Sequence, residues 1–202
     1  MISSKVKLLE QSWENNNYSI SNTGGTFGTI SFTDSKEFIG VAFSKESSRN
    51  PFSISQKSDY SYKPFLNEVP DNLYKIATEE CLQYMIQGYK GKNLPIITSA
   101  FWGNELNTFV NEKWEDALTN GLFIYHNHFL SFEKSLLQWQ SYYELSDADI
   151  KQIRIIVSKI SLTGNKLLSL DGKILSYFKT KEEAGNGFDL FKEQLGVIGI
   201  II

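Results

Sequence analysis

A mixed α/β (α+β) fold, with a central sheet flanked by helices, is what this sequence predicts, and three observations carry the expectation. Runs rich in β-branched and aromatic residues, Phe27 to Thr33 and Phe38 to Ser44, give way to stretches of helical spacing such as Phe132 to Tyr143. Turn-forming clusters separate the two kinds of segment, with no internal repeat and no low-complexity tract. The 202 residues, 41% hydrophobic and 14% aromatic, are enough for one substantial core with an appendage.

Along the chain, Val6, Leu8, Leu9 and Trp13 fit a short helix from Ser4 to Glu14, ended by the run Asn15-Asn16-Asn17. The two β-rich runs flank Asp34-Ser35-Lys36-Glu37 and predict a hairpin. Periodicity is then lost from Lys45 to Asn67, a stretch of Ser, Asn and Lys with Pro51 and Pro64. It is the expected boundary between an appendage of residues 1–66, one helix and a β-hairpin, and a main domain of residues 67–202. After Pro70, Leu73, Ile76, Ala77 and Cys81 keep helical spacing, while Glu80, Leu82, Tyr84 and Ile86 alternate as a strand would. A strand is expected from Leu94 to Trp102, and an amphipathic helix from Asn104 to Leu118 with Leu106, Phe109, Val110, Trp114 and Ala117 inside. Asn120-Gly121 stops that helix, and a strand carrying two histidines follows. Helices are then expected over Phe132 to Tyr143 and from Ser146 to Ile160, a hairpin around Asp171-Gly172, a helix near Glu182 to Leu195, and a terminal strand.

Twenty basic and 23 acidic residues give a net charge of −3, mixed along the chain with no Lys/Arg cluster to track phosphates, so a nucleic-acid partner is not expected. The single Cys81 has no partner for an internal disulfide, and the start Met-Ile-Ser-Ser-Lys-Val-Lys lacks the apolar run of a secretory signal; the expected compartment is the cytoplasm. The apolar terminus Gly-Val-Ile-Gly-Ile-Ile-Ile is far shorter than the ~20 residues that span a bilayer, so no membrane association is expected. Cys81 reads as a small buried hydrophobe, and Gly24-Gly25 and Gly185-Asn186-Gly187 read as turns, since neither follows a strand with the spacing of a phosphate loop.

The only two histidines, His126 and His128, stand two residues apart in Gly-Leu-Phe-Ile-Tyr-His-Asn-His-Phe. On a strand, side chains at i and i+2 share a face, so both imidazoles can reach one ion, and zinc accepts neutral imidazole readily. Asp149, three residues after Ser146, is the candidate third ligand, which would leave a fourth position for an activated water. Each part also has a plainer reading. Histidines sharing a face with Leu122, Ile124 and Leu130 suit a hydrogen-bonded, partly buried pair, and Ser146 with Asp149 is what a helix start needs to satisfy its free N–H groups.

Taken together, Ile124-Tyr125-His126-Asn127-His128 and Leu145-Ser146-Asp147-Ala148-Asp149-Ile150 resemble the His-x-His and Ser-x-x-Asp signature of the JAMM/MPN (JAB-domain) metallopeptidases, over about Pro70 to Phe178. The resemblance implies an MPN-like three-layer domain with a mixed sheet between helices. It implies zinc held by His126, His128 and Asp149, with Ser146 steadying the oxyanion and an upstream glutamate as general base. Glu79 or Glu80, in Glu-Glu-Cys-Leu, is the expected base, with Glu37 in reserve because Glu-x-x-Gly also matches there. Phe129 stands where that family usually has a proline, and the 17 residues between His128 and Ser146 imply a helical insertion near 130–144 serving as a lid or docking surface. The implied activity is hydrolysis of an amide by a zinc-activated water, on a protein or peptide substrate, a ubiquitin-like conjugate among the candidates. The rival expectation is a non-catalytic protein-interaction module, either a degenerate scaffold of that type or an immunity-type binding protein. Oligomeric state is left open.

Overall fold

The computed structural model describes residues 9–53, 59–143, 145–163, 168–169 and 200–201. The chain forms two compact units, Met1–Ser131 and Phe132–Ile202.

The first unit is built on an antiparallel sheet of six strands. Its first strand, β1 (Leu9–Glu14), turns through Asn15-Asn16 into β2 (Asn17–Asn22). Asn15 sits at φ 51°, the left-handed conformation that a two-residue hairpin turn demands and that asparagine tolerates. The asparagine run therefore closes a hairpin where a helix end was expected, and the described part of the expected Ser4–Glu14 helix is strand. β3 (Thr26–Phe32) and β4 (Glu37–Ser44) form the predicted hairpin, with Lys36 at φ 63° in its loop.

A loop and a 3-10 turn, Lys63–Leu66, lead to helix α1 (Asp71–Glu79), which opens after Pro70 and passes into a second 3-10 segment, Cys81–Met85. The helical expectation holds for Leu73, Ile76 and Ala77, whereas the alternating residues Glu80, Leu82 and Tyr84 are not strand; only at Ile86 does β5 (Ile86–Tyr89) begin, pairing with β6 (Lys92–Pro95) across Lys90-Gly91, both at positive φ. The expected strand Leu94–Trp102 is split: its second half begins β7 (Ser99–Asn104), which pairs with β4 and with the short β8 (Thr108–Phe109). The expected helix Asn104–Leu118 shrinks to α2 (Trp114–Thr119). Its first residues turn back because the Asn104 side chain accepts from the Leu106 and Asn107 amides at 2.9 and 3.1 Å, a local bond that outcompetes the helix ladder.

Strand order is β1-β2-β3-β4-β7-β8. Ile39 and Val41 of β4 stand opposite Trp102 and Ala100 of β7, so strands on both sides of the expected 66/67 boundary share one sheet. Alternation gives this sheet two faces. On one, Ile39, Val41, Phe43, Ala100 and Trp102 pack against Leu73 and Ala77 of α1 and Leu82 and Met85 of the following 3-10 segment. On the other, Tyr18, Ile20, Ile30, Ala42 and Phe101 pack against Ala117 of α2 and Leu122, Ile124 and Tyr125. Gly28 and Gly40 are required on that second face: a Cβ at Gly28 would land on the Tyr125 hydroxyl and the Val41 carbonyl, and one at Gly40 on the Phe101 ring.

The loop after β4 is pinned by Arg49, which donates to Glu112 Oε1 at 2.8 Å and to the Thr98 carbonyl at 3.3 Å, and by Ser47, which donates to Asn120 Oδ1 at 2.6 Å. These bonds hold the start of β7 and the end of α2 against the β4 side of the sheet.

The second unit contains helices α3 (Phe132–Tyr143) and α4 (Asp147–Thr163), both as predicted, linked by a 2.7 Å ion pair of Arg154 with Glu133. Strand β9 (Leu168–Ser169) pairs in parallel with β10 (Ile200–Ile201). The expected hairpin at Asp171-Gly172 and helix near 182–195 lie outside the described residues. Among the described residues no helix is long and apolar enough to cross a membrane.

Candidate functional site

The histidine segment departs from its predicted form. Leu122–Phe129 is a 3-10 helix, entered through Gly121 at φ 129°. The reason lies in its apolar spacing: Leu122 and Tyr125, three apart, are both fully buried, and a three-residue turn places both on the sheet. In that conformation residues two apart diverge by about 240° around the axis, so His126 and His128 do not share a face as they would on a strand. His126 is exposed.

His128 has other engagements. Its Nε2 shares a 3.1 Å hydrogen bond with the Tyr18 hydroxyl, which donates to Gln11 Oε1 at 2.9 Å, and its ring packs 5.2 Å from that of Tyr18. Burial of the ring against these neighbours pushes its pKa down, opposed by a hydrogen bond to the Tyr125 backbone. The residue as a whole remains exposed on its other side.

Ser146 and Asp149 meet, as their spacing predicts, and they do so as a helix cap. Asp149 Oδ2 accepts from the Ser146 amide at 2.8 Å and from its hydroxyl at 2.5 Å, while the Asp149 amide donates to Ser146 Oγ at 3.3 Å. This reciprocal pair satisfies the first turn of α4. The two histidines belong to the first unit and the Ser-x-x-Asp to the second. Among the described residues no group of three or more His, Cys, Asp or Glu is gathered to hold a metal.

The three glutamates are also placed. Glu37 opens β4, where its carboxylate accepts from Asn72 at 3.0 Å and Ser35 at 2.9 Å. Glu79 and Glu80 lie at the opposite end of α1, exposed, on the wall of a 430 Å³ concavity shared with Asn15, Asn16, Gln83 and Tyr84. Cys81, beside them in sequence, is fully buried; its Sγ donates to the Thr29 carbonyl at 3.3 Å, and burial pushes its pKa up to about 12, so it is no nucleophile.

A larger concavity, 490 Å³, adjoins the first through Tyr84, which lines both. Its floor is the face of β1–β3 that α1 and the Cys81–Met85 segment leave uncovered: Glu10, Ser12 and Glu14 stand opposite Ser21, Ser19 and Asn17. Tyr84 walls it, donating to Glu14 Oε2 at 3.0 Å. Ser19 and Thr29 hydroxyls bond across the floor at 3.0 Å. This face went unseen in the sequence because Leu9–Glu14 reads as helix. The alternation of Glu10, Ser12 and Glu14 ahead of an Asn-Asn turn was the available signal. Neither a protein-family model, nor a curated protein, nor a solved structure matches this chain.

Proposed function

We propose that this protein is a non-catalytic protein-interaction module whose binding surface is the polar face of β1–β3 that α1 and the Cys81–Met85 segment leave uncovered among the described residues. The supporting observation is the makeup of that concavity: carboxylates of Glu10 and Glu14, hydroxyls of Ser12, Ser19, Ser21 and Thr29, and the flanking ring of Tyr84. The groups on this face are bonded to one another, Ser19 to Thr29 and Tyr84 to Glu14, and among the described residues lining it there is no His, Cys, Lys or Arg. Hydroxyl and carboxylate acceptors beside an aromatic ring suit recognition of a polar peptide surface. The lone free thiol fits a module of a reducing compartment such as the cytoplasm.

The second reading is the zinc-dependent peptidase or isopeptidase with an MPN-like domain. What favours it is the coexistence of two histidines in one short segment with a hydrogen-bonded Ser146–Asp149 pair. It requires the Leu122–Phe129 segment to turn both imidazoles to one ion and Asp149 to leave its cap.

Two measurements on purified protein decide. Arrays of extended nonapeptides should be bound in the presence of a chelator, and Ser12→Arg with Ser19→Arg, which fill the face, should abolish the signal. Elemental analysis should find no stoichiometric zinc. About one zinc per chain, lost in His128→Ala and Asp149→Ala, together with peptide hydrolysis lost in Glu79→Gln, Glu80→Gln or Glu37→Gln, would overturn the binding reading in favour of the peptidase.

A further inference from the structure

Among the described residues strand β1 ends the strand order, and the side chains described on it, Glu10 to Glu14, are all exposed. A terminal strand presents a row of backbone N–H and C=O groups, and an extended chain can add there as a further strand. From this edge we infer that β1 receives an extended, basic segment of a partner protein as a seventh strand of the sheet, with its Lys or Arg side chains over Glu10 and Glu14. The inference rests on the interaction-module reading and names the partner's chemistry.

The register of β1 specifies the pattern such a segment needs. Glu10, Ser12 and Glu14 point to the concave face, since they pair with Ser21, Ser19 and Asn17, while Gln11 and Trp13 point to the other face with Ile20 and Tyr18. A strand laid along β1 therefore places alternate residues beside the two carboxylates, with a small polar residue between them beside Ser12. The intervening residues lie beside Gln11 and Trp13. Trp13 is 38% exposed and stacks on Phe32 with ring centroids 5.6 Å apart, a fixed apolar platform for one aliphatic side chain. Read off the strand, the complement is basic–apolar–small polar–apolar–basic.

Charge also selects among occupants. A second copy adding antiparallel about Ser12 would bring Glu10 of one molecule opposite Glu14 of the other, twice, and like charges directly opposite are unfavourable. Exposed Glu79 and Glu80, on the concavity that adjoins through Tyr84, extend the same negative field. A basic segment gains from each of these carboxylates, and a copy of this chain is repelled by them.

The test uses the full chain and a fluorescent peptide, Thr-Lys-Val-Ser-Val-Lys-Thr, in anisotropy titrations. Three controls accompany it: Glu in place of both Lys, alternate amides N-methylated on one edge, and the other edge N-methylated. Binding of the parent peptide should weaken about three- to tenfold on Glu10→Gln/Glu14→Gln, as for exposed charge pairs, and weaken further with added salt. One N-methylated peptide, and not the other, should lose at least about tenfold, because only one edge bonds to β1. Equal binding by both N-methylated peptides overturns strand addition while leaving a binding face intact. Equal binding of the Glu peptide overturns the basic partner. A concentration-dependent dimer in sedimentation, lost on Ser12→Arg, would assign the edge to a second copy instead. No peptide binding together with stoichiometric zinc fails the underlying reading, a result distinct from all three.

Discussion

The Tyr84 hydroxyl donates to Glu14 Oε2 at 3.0 Å, joining the 3-10 segment after α1 to the last residue of the edge strand. Seventy residues separate the two in sequence, and the bond closes one end of the concave face. Both side chains are exposed, so the bond shapes the site more than it stabilises the fold.

Tyr84→Phe is therefore expected to cost no more than about 0.5 kcal/mol in urea denaturation. Tyr84→Ala, which removes the wall itself, should also leave stability within about 1 kcal/mol yet lower peptide binding at the face. A loss of several kcal/mol in the Phe variant would mean that the contact organises the core.

Cys81 should behave as a buried hydrophobe. With its thiol pushed up to about 12 by burial and its Sγ bonded to the Thr29 carbonyl, native protein at pH 8 should resist an aromatic disulfide reagent and react at once in guanidinium. Rapid labelling of native protein would show that the site opens.

The parts of the fold that were legible in the sequence are those where a local pattern and tertiary packing agree. The β3–β4 hairpin, α3 and the capped start of α4 are of this kind: alternation, 3.6-residue spacing and the Ser146–Asp149 box each carry their own answer. Residues 9–14 and 104–113 misled because Leu9 and Trp13, or Leu106, Phe109 and Val110, fall at helical spacing by chance, while single asparagines decide the outcome. Asn15 closes a hairpin at positive φ, and Asn104 folds back on two amides. The histidine pair misled for another reason. Leu122-Phe123-Ile124-Tyr125 is apolar enough for a strand, and only the sheet beneath it, with Gly28 making room for Tyr125, selects the three-residue turn that parts the two imidazoles.

His128 gives the protein a pH dependence with a definite sign. Burial lowers its folded pKa below that of the unfolded chain, so between the two values the unfolded state holds more protons and stability rises with pH. The contribution is complete above the ordinary histidine value near 6.5 and is lost as pH falls through the lowered one. Denaturation midpoints of wild type should decline from pH 7 to 5 more steeply than those of His128→Gln, which has no proton to gain. Parallel curves for the two proteins would assign the acid sensitivity to carboxylates.

The fit of Phe101 over Gly40 can be isolated by a double-mutant cycle. Phe101 is 1% exposed, and the ring atoms nearest a Cβ built at Gly40 belong to it alone. Gly40→Ala in the wild-type background must displace that ring within a close-packed core and should cost about 1–3 kcal/mol. Phe101→Leu alone removes aromatic contacts to Phe38, Tyr125 and Phe129 and should also destabilise. Combined, the smaller leucine vacates the space the added methyl needs, so the pair should be less destabilising than the sum by about 1 kcal/mol or more. Gly28→Ala supplies the contrast, because its Cβ meets the Val41 backbone carbonyl as well as Tyr125, and no side-chain truncation relieves a backbone clash. Tyr125→Phe should therefore rescue Gly28→Ala little, and a full rescue there, or strict additivity at Gly40 and Phe101, would show that the two glycines serve the strand backbone and not the rings laid across them.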